Sequence, residues 1–307
     1  MLKFIIKRCL EALPTLFVLI TLSFFIMRLT PGSPFATEEV NSFEVLARIE
    51  SKYHLDEPLP KQYLRYLRSL SKGHFGYSFK YLDHTVTQLI AAAFPVSLQL
   101  GGIAFIIAVL AGISAGIVAA LNQNSWIDYS VMFLSMIGVI LPNFVKAPLL
   151  VLIFSIGLGW LPAGGWNGGE PLRMILPITA LALSHVATIA RLTRGSMLEV
   201  LDSSFIRTAK AKGLPLMQII CHHALKPALL PVISYLGPTL ASIITGSVVI
   251  EAIFGLPGMG QLLVNGAFNR DYPVVLGATL LVGVVTILFN ATVDILYAYL
   301  DPKLRYQ

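Results

Sequence analysis

Long uncharged runs alternate along this chain with short segments rich in Lys and Arg. No Lys, Arg, Asp or Glu falls between Glu11 and Arg28, Asp83 and Asp128, Arg173 and Arg191, Lys226 and Glu251, or Tyr272 and Asp294. A helix of about 20 apolar residues crosses the hydrocarbon of a bilayer and bonds its own backbone N–H and C=O groups inside it. The pattern predicts six such spans, over residues 10–27, 98–121, 129–158, 174–190, 228–250 and 273–297. The fold class is therefore an all-α polytopic membrane protein with six transmembrane helices. Lys3, Lys7 and Arg8 ahead of the first run resemble a secretion signal. That run is too long for one and ends in Met27-Arg28-Leu29-Thr30-Pro31 without a small-x-small cleavage site, so it reads as a permanent helix.

Three stretches between the spans carry patterns of their own. In the first connection Asn41 and Glu44 form a capping-box pair ahead of Phe43, Leu46, Ile49 and Tyr53 at helical spacing. Pro60 opens a second helix with Tyr63, Leu64, Leu67 and Leu70 on one face and Gly73 at its end, and Thr85 begins a third with Val86, Leu89 and Ile90. Together they predict a small helical cap. After the fourth span, Asp202, Ser203 and Ser204 are N-cap residues for a helix over 205–212, and Gly213-Leu214-Pro215 stops it. After the fifth span, Gly255, Pro257, Gly258 and Gly260 permit a sharp reversal into a short helix over 261–268, with Leu262, Leu263 and Phe268 toward the bundle.

Composition narrows the class. Of 307 residues 56% are apolar and 12% charged, against about 25% charged in a typical soluble domain. This excludes an ordinary soluble enzyme and a disordered chain. With the N-terminus inside, the inner segments hold 11 basic residues against Arg173 and Arg270 in the short outer loops. The positive-inside rule then places both termini in the cytosol. The net charge of +6 follows from that topology and is no nucleic-acid footprint. The expected organisation is a cytoplasmic N-terminus (1–9), a first span (10–28), an extracytoplasmic helical segment (29–96) and a five-helix core (97–307) containing a cytoplasmic loop at 192–227. Cys9 and Cys221 have no metal-ligand spacing, so no metal is expected. The chain also lacks a Gly-x-x-x-x-Gly-Lys-Ser/Thr phosphate loop.

Several residues invite functional readings beside structural ones. An eight-residue helix is too short to stand alone. The 205–212 segment either offers Phe205 and Ile206, ringed by Arg207, Lys210 and Lys212, to a soluble partner or rests on its own bundle. Gly112-x-x-x-Gly116, with Gly101 and Gly102, suits close helix approach, and Pro142-Asn143, Pro148 and Pro177 suit kinks of a moving or a static bundle. Lys146, beside the Pro142 break, reads as a contact for a carboxylate or as a cation that snorkels or pairs internally. His185 reads as a packing residue or a lining residue, Asp294 as a local pair, and Glu251 as a gate or a brace of the Gly-rich turn. A protease would need a nucleophile elbow that Gly195-Ser196 does not supply, and a secondary transporter would show an internal repeat that is absent.

Phe205-Ile206-Arg207-Thr208-Ala209-Lys210-Ala211-Lys212-Gly213, followed by His223-Ala224-Leu225-Lys226-Pro227, resembles the cytoplasmic signature loop of bacterial ABC importer permeases in their peptide-permease form. Tyr53-His54-Leu55-Asp56-Glu57-Pro58-Leu59, Gly76-Tyr77-Ser78, and the run from Glu251-Ala252-Ile253-Phe254-Gly255 to Arg270-Asp271-Tyr272-Pro273 resemble other parts of the same subfamily. The likeness spans essentially the whole chain. It implies a type I importer permease with Phe205 to Gly213 as the helix that docks on an ATPase. Glu251, Phe254, Pro257, Gly258, Gly260, Arg270 and Asp271 would then form an outer gate or binding-protein contact, and Pro142, Asn143, Lys146 and His185 would lie on the path. It also implies a second permease, two ABC ATPases that hold ATP and Mg, an extracytoplasmic peptide-binding protein, and peptide cargo, with dipeptides, nickel or another small solute as alternatives. The chain itself would be non-catalytic, without a cofactor, and located in the bacterial inner membrane. One departure stands out: the general signature begins Glu-Ala-Ala, whereas Arg207-Thr208-Ala209 stand here and His223 replaces a later isoleucine.

Overall fold

The computed structural model describes residues 2–29, 56–81 and 83–300, apart from the side chains of 2–9, 241, 244–246, 294 and 296–300. The expected helix at Asn41 to Tyr53 and the side chains of Cys9 and Asp294 lie outside the described residues. The elements are α1 (Leu2–Leu29), α2 (Leu59–Leu70), α3 (Val86–Leu121), α4 (Trp126–Ile140), α5 (Asn143–Gly157), α6 (Pro171–Leu201), α7 (Ser204–Ala211), α8 (Leu216–Ala228), α9 (Leu230–Phe254), α10 (Met259–Phe268) and α11 (Tyr272–Leu300). Within α1, α3, α6 and α11 the stretches Leu10–Leu29, Val86–Leu121, Pro171–Leu201 and Tyr272–Val293 are each long and apolar enough to cross a membrane.

Of the other two expected crossings, 228–250 falls on the continuous helix α9, with a bend just before it at Leu229, whereas 129–158 is broken. α4 and α5 meet at 111°, and α8 meets Leu230–Leu240 of α9 at 52°. The structure corrects the single kinked span expected over 129–158, because the chain there turns through more than a right angle. Its cause is local: Pro142 bars helical backbone at Leu141, and both residues are extended, with ψ of 120° and 155°. The turn between α9 and α10, at 82°, adds no crossing. The 10 residues of α10 reach only about 15 Å, half the hydrocarbon thickness.

α3 and α6 form the centre of the bundle. A Cβ on Gly112 would sit 2.7 Å from Ile189 Cβ, and one on Gly116 would sit 2.6 Å from the Ala190 carbonyl. Gly-x-x-x-Gly thus lets the two backbones approach, as the spacing predicts. Gly101 has the same use against Ile243, while Gly102 faces open space. Leu100, Ala104 and Ala108 of α3 pack with Leu176, Leu181 and Ile189 of α6 and Val232 and Ile250 of α9. Phe133, Leu134, Ile140, Leu110 and Phe144 stay exposed, as helices that face hydrocarbon require. Thr85 caps α3 in a capping box with Gln88. The helix it starts runs without a break across residue 96 into the second span.

Candidate functional site

The two ends of the bundle carry different chemistry. At one end α7 follows α6 after a two-residue turn, with Ser203 as N-cap residue and Gly213 left-handed at φ +76°. Leu214 N–H donates to Ala209 O at 3.3 Å and Gly213 N–H to Lys210 O at 2.9 Å, a glycine stop of the kind the sequence predicts. No side chain caps the helix N-terminus; the Ser203 hydroxyl donates back to Val200 O instead.

Ile206 and Ala209, one turn apart, point into the protein. They pack with Ala120, Met197, Ile219, Ile220, Ala224 and Ala228 in a small apolar socket, where Ile206 is 0% exposed. This corrects the expectation that Ile206 faces a partner, since its side chain is consumed in seating α7. Phe205, 48% exposed, lies outside together with Arg207, Thr208, Lys210, Ala211, Lys212 and Gly213. One face of this segment therefore rests on the bundle, and the other is an exposed cationic surface with an aromatic ring.

A buried pair near the same end ties α4 to α6. Arg194 Nε and Nη2 donate to the two Asp128 oxygens at 2.5 and 2.7 Å, and Asp128 is 1% exposed. Asn124 N–H also donates to it at 3.0 Å. Sequence reasoning missed this pair. Asp128 ended an uncharged run and Arg194 counted only toward topology, so nothing in the spacing joined residues 66 apart.

At the opposite end, Glu251 sits in the last turn of α9 and is wholly buried. Its Oε1 accepts from Ser97 Oγ at 2.6 Å, and its Oε2 from Gly260 N–H at 2.6 Å. Ser97 in turn accepts from Met259 N–H at 2.8 Å. Gly255 ends α9 in a left-handed turn, φ +64°, and Leu256 N–H returns to Glu251 O at 2.8 Å. The space is filled: a Cβ on Gly258 would strike the Glu251 carboxylate, and one on Gly260 would strike the Val248 backbone. Gly165 N–H donates to Phe254 O at 2.7 Å, joining the 158–170 loop to the same turn.

Asp271 makes a second lock. As the residue before α11, it accepts from Ser78 Oγ, from Phe79 N–H at 3.1 Å and from Lys80 N–H at 3.3 Å, and is 1% exposed. Glu251, Phe254, Gly258, Gly260 and Asp271 are thus internal, and only Pro257 and Arg270 of that expected set are exposed. The buried five face inward, where Glu251 and Asp271 brace the turns that they bond to. Phe268, expected to face the bundle, points away at 84% exposed, while Leu262 and Leu263 pack inward. Outside the membrane spans, Asn167 and Arg173 donate to Glu170 at 2.9 Å each and hold its carboxyl below the usual range.

Lys146 and His185 meet at the α4–α5 elbow. The Lys146 ammonium donates to Ser184 Oγ of α6 and to Gly138 O of α4, 3.4 Å away, and is 2% exposed. Gly138 lies in the last turn of α4, where carbonyls lack helical partners, so Lys146 pins the elbow to α6. His185 lies beside it, buried, with Nδ1 unpartnered. Pro142 and Asn143 form the elbow itself. Lys146 and His185 are buried, whereas Pro142 is exposed and Asn143 half-buried.

Comparison with known proteins follows the same lines. The family described as "Binding-protein-dependent transport system inner membrane component" matches residues 112–306, and its N-terminal companion matches 1–101. The chain is 67% identical to the "Oligopeptide transport system permease protein OppB" of Haemophilus influenzae and 64% to that of Escherichia coli K12, over all of both chains. It is 45% identical to the "Dipeptide transport system permease protein DppB" of Bacillus subtilis, over 99% of this chain and 98% of that one. Among solved structures, the inward-facing MetNI methionine ABC transporter has a TM-score of 0.56 at 17% identity, covering 70% of this chain and 97% of the other. An amino acid ABC transporter with histidines has a TM-score of 0.56 at 18% identity, over 69% and 94%; at such identities these two speak for the fold alone. A helix-only bundle, full-length relatives and two family matches that together span nearly the whole chain agree, and the chain belongs to the membrane-spanning permeases of binding-protein-dependent ABC importers, in their oligopeptide and dipeptide branch.

Proposed function

We propose that this chain is one of two permease subunits that enclose the translocation path of an oligopeptide importer in the bacterial inner membrane. An extracytoplasmic peptide-binding protein delivers the cargo, and two ATPase subunits holding ATP and Mg drive it. Both termini and α7 lie on the cytosolic side. Oligopeptides are favoured over dipeptides because identity to the oligopeptide permeases reaches 64–67%, against 45% for the dipeptide permease.

The observation that carries this reading is the two-faced geometry of α7. Ile206 and Ala209 seat it in a socket built from α3, α6 and α8, while Phe205, Arg207, Lys210 and Lys212 face outward. A partner that grips the outer face moves the socket, and the socket moves three bundle helices. Nucleotide closes the ATPase pair because it binds the closed state better, and that difference is what shifts the permease between inward-facing and outward-facing states. Arg207 stands where the general signature has an acid, so docking here relies on cations and the Phe205 ring.

The test is the complete importer reconstituted in vesicles, with uptake of labelled tri- to pentapeptides. Phe205→Asp is expected to abolish co-purification of the ATPases and uptake together, while the permease still inserts. Uptake that survives at the wild-type rate with Phe205→Asp overturns the proposal.

A further inference from the structure

A cavity of about 160 Å³ lies where the last turn of α1 meets α2 and the start of α11. Its walls include Phe24, Arg28, Tyr66, Tyr77 and Tyr272. The aromatic rings are ordered against each other: Phe24, 1% exposed, stacks on Tyr66 with centroids 5.6 Å apart and planes 24° apart. Arg28 lies over the same ring, its guanidinium carbon 5.7 Å from the Phe24 centroid.

Arg28 is the anomaly of this region. Its Nε is buried without a hydrogen-bond partner, and among the described residues no carboxylate lies within ion-pair distance of it. Arg65, which also lines the cavity, is neutralised by Glu57 at 2.7 Å. A desolvated guanidinium with an open donor is costly unless an acceptor arrives. Residue 28 stands at the end of the span Leu10–Leu29, hence at the boundary between hydrocarbon and headgroups, where Tyr side chains also gather. Anions are supplied at that depth by lipid phosphates. Along the same face of α1, roughly two or more turns before Phe24 and Arg28, Leu10, Leu13 and Phe17 form an exposed apolar stripe.

We propose that this cavity holds the phosphate of a glycerophospholipid, with Arg28 as its charge partner and the Leu10–Leu13–Phe17 stripe as the bed of an acyl chain. Guanidinium and phosphate match in geometry as well as charge. Burial pushes the Tyr66 phenol up to about 12, so it stays protonated and serves as a neutral donor. The lipid then joins α1, α2 and α11 where α2 is stacked on α1 through aromatic rings. Nothing in this inference requires the cargo or the ATPase partner to be those proposed above.

The experiment is native mass spectrometry of the complete importer released from nanodiscs of phosphatidylglycerol and phosphatidylethanolamine, counting phospholipids retained as collision energy rises. The wild type is expected to keep one lipid that Arg28→Gln loses, with about tenfold lower retention, as for one charge-assisted contact. Lys72→Gln, which removes an exposed cation outside the cavity, is expected to keep it. If Arg28→Gln fails to assemble, Arg28→Lys and Tyr66→Phe decide, each with a loss of about threefold or more. Equal retention in wild type and assembled variants overturns the proposal. So does displacement of the retained lipid by millimolar inorganic phosphate, which would mark a site for the free ion.

Discussion

The two ends of this bundle are held by opposite means. At the rim, Glu251 and Asp271 are buried acids whose oxygens are met by Ser97, Gly260, Ser78 and backbone N–H groups. At the α7 end, a short helix is seated by Ile206 and Ala209 in an apolar socket, and a buried ion pair stands beside it. A network of directional bonds fixes one arrangement and resists sliding. An apolar socket tolerates small rotations without leaving a polar group bare. The rim is therefore fixed by directional bonds, whereas α7 is held by apolar packing, the property that the proposed coupling role requires.

Ile206→Asp breaks the socket most severely. An unpaired charge enters a site that is 0% exposed, at a cost of about 3–5 kcal/mol. Limited proteolysis is expected to cleave the 202–215 loop many times faster in this variant, while Phe205→Asp, on the exposed face, leaves the cleavage rate unchanged. Asp128→Ala strands the half-buried Arg194 and is expected to cost about 1–3 kcal/mol in thermal unfolding. The double variant Asp128→Leu with Arg194→Met recovers most of that loss, because neither charge is then left alone.

At the rim, Ser97→Ala removes one donor to Glu251 and the acceptor for Met259 N–H. The expected cost is about 1–3 kcal/mol, with faster hydrogen exchange confined to the α9–α10 turn. Ser97→Thr keeps the hydroxyl and falls well below that. The smallest effect is electrostatic. The folded Glu170 carboxyl is held below its ordinary 4.5 by Asn167 and Arg173. Its stabilisation is complete above that ordinary value and disappears as pH falls through the lowered one. Glu170→Gln is expected to lower the unfolding midpoint slightly at neutral pH, to leave it unchanged in acid below the lowered value, and so to flatten the acid limb.

Periodicity and charge were enough to find the spans, the stop at Gly213, the glycine approach of α3 to α6 and the outward cations of α7. Such features depend on residues within one or two turns of each other, where spacing is informative. What the chain conceals is pairing at a distance. Ser97 and Glu251 are separated by 154 positions, and Ser78 and Asp271 by 193; a serine in an apolar run gives no sign of its partner. Phase within a short helix is concealed as well. Phe205 and Ile206 are adjacent and both apolar, and only the position of α6 and α8 decides which one turns inward. The α4–α5 elbow shows a third limit: Pro142 announces a break, but whether a proline kinks or folds back a span depends on what packs beyond it.

The most direct test of the central claim places a photoreactive phenylalanine analogue at Phe205 in the assembled importer in native membranes. Crosslinking to an ATP-binding subunit, at a yield that changes when nucleotide is added, is the predicted result. A control analogue at Trp126, 80% exposed near the same end of the bundle, is expected to give no such product. If Phe205 captures no nucleotide-hydrolysing subunit in a complex that transports peptide, α7 is not where the driving force enters.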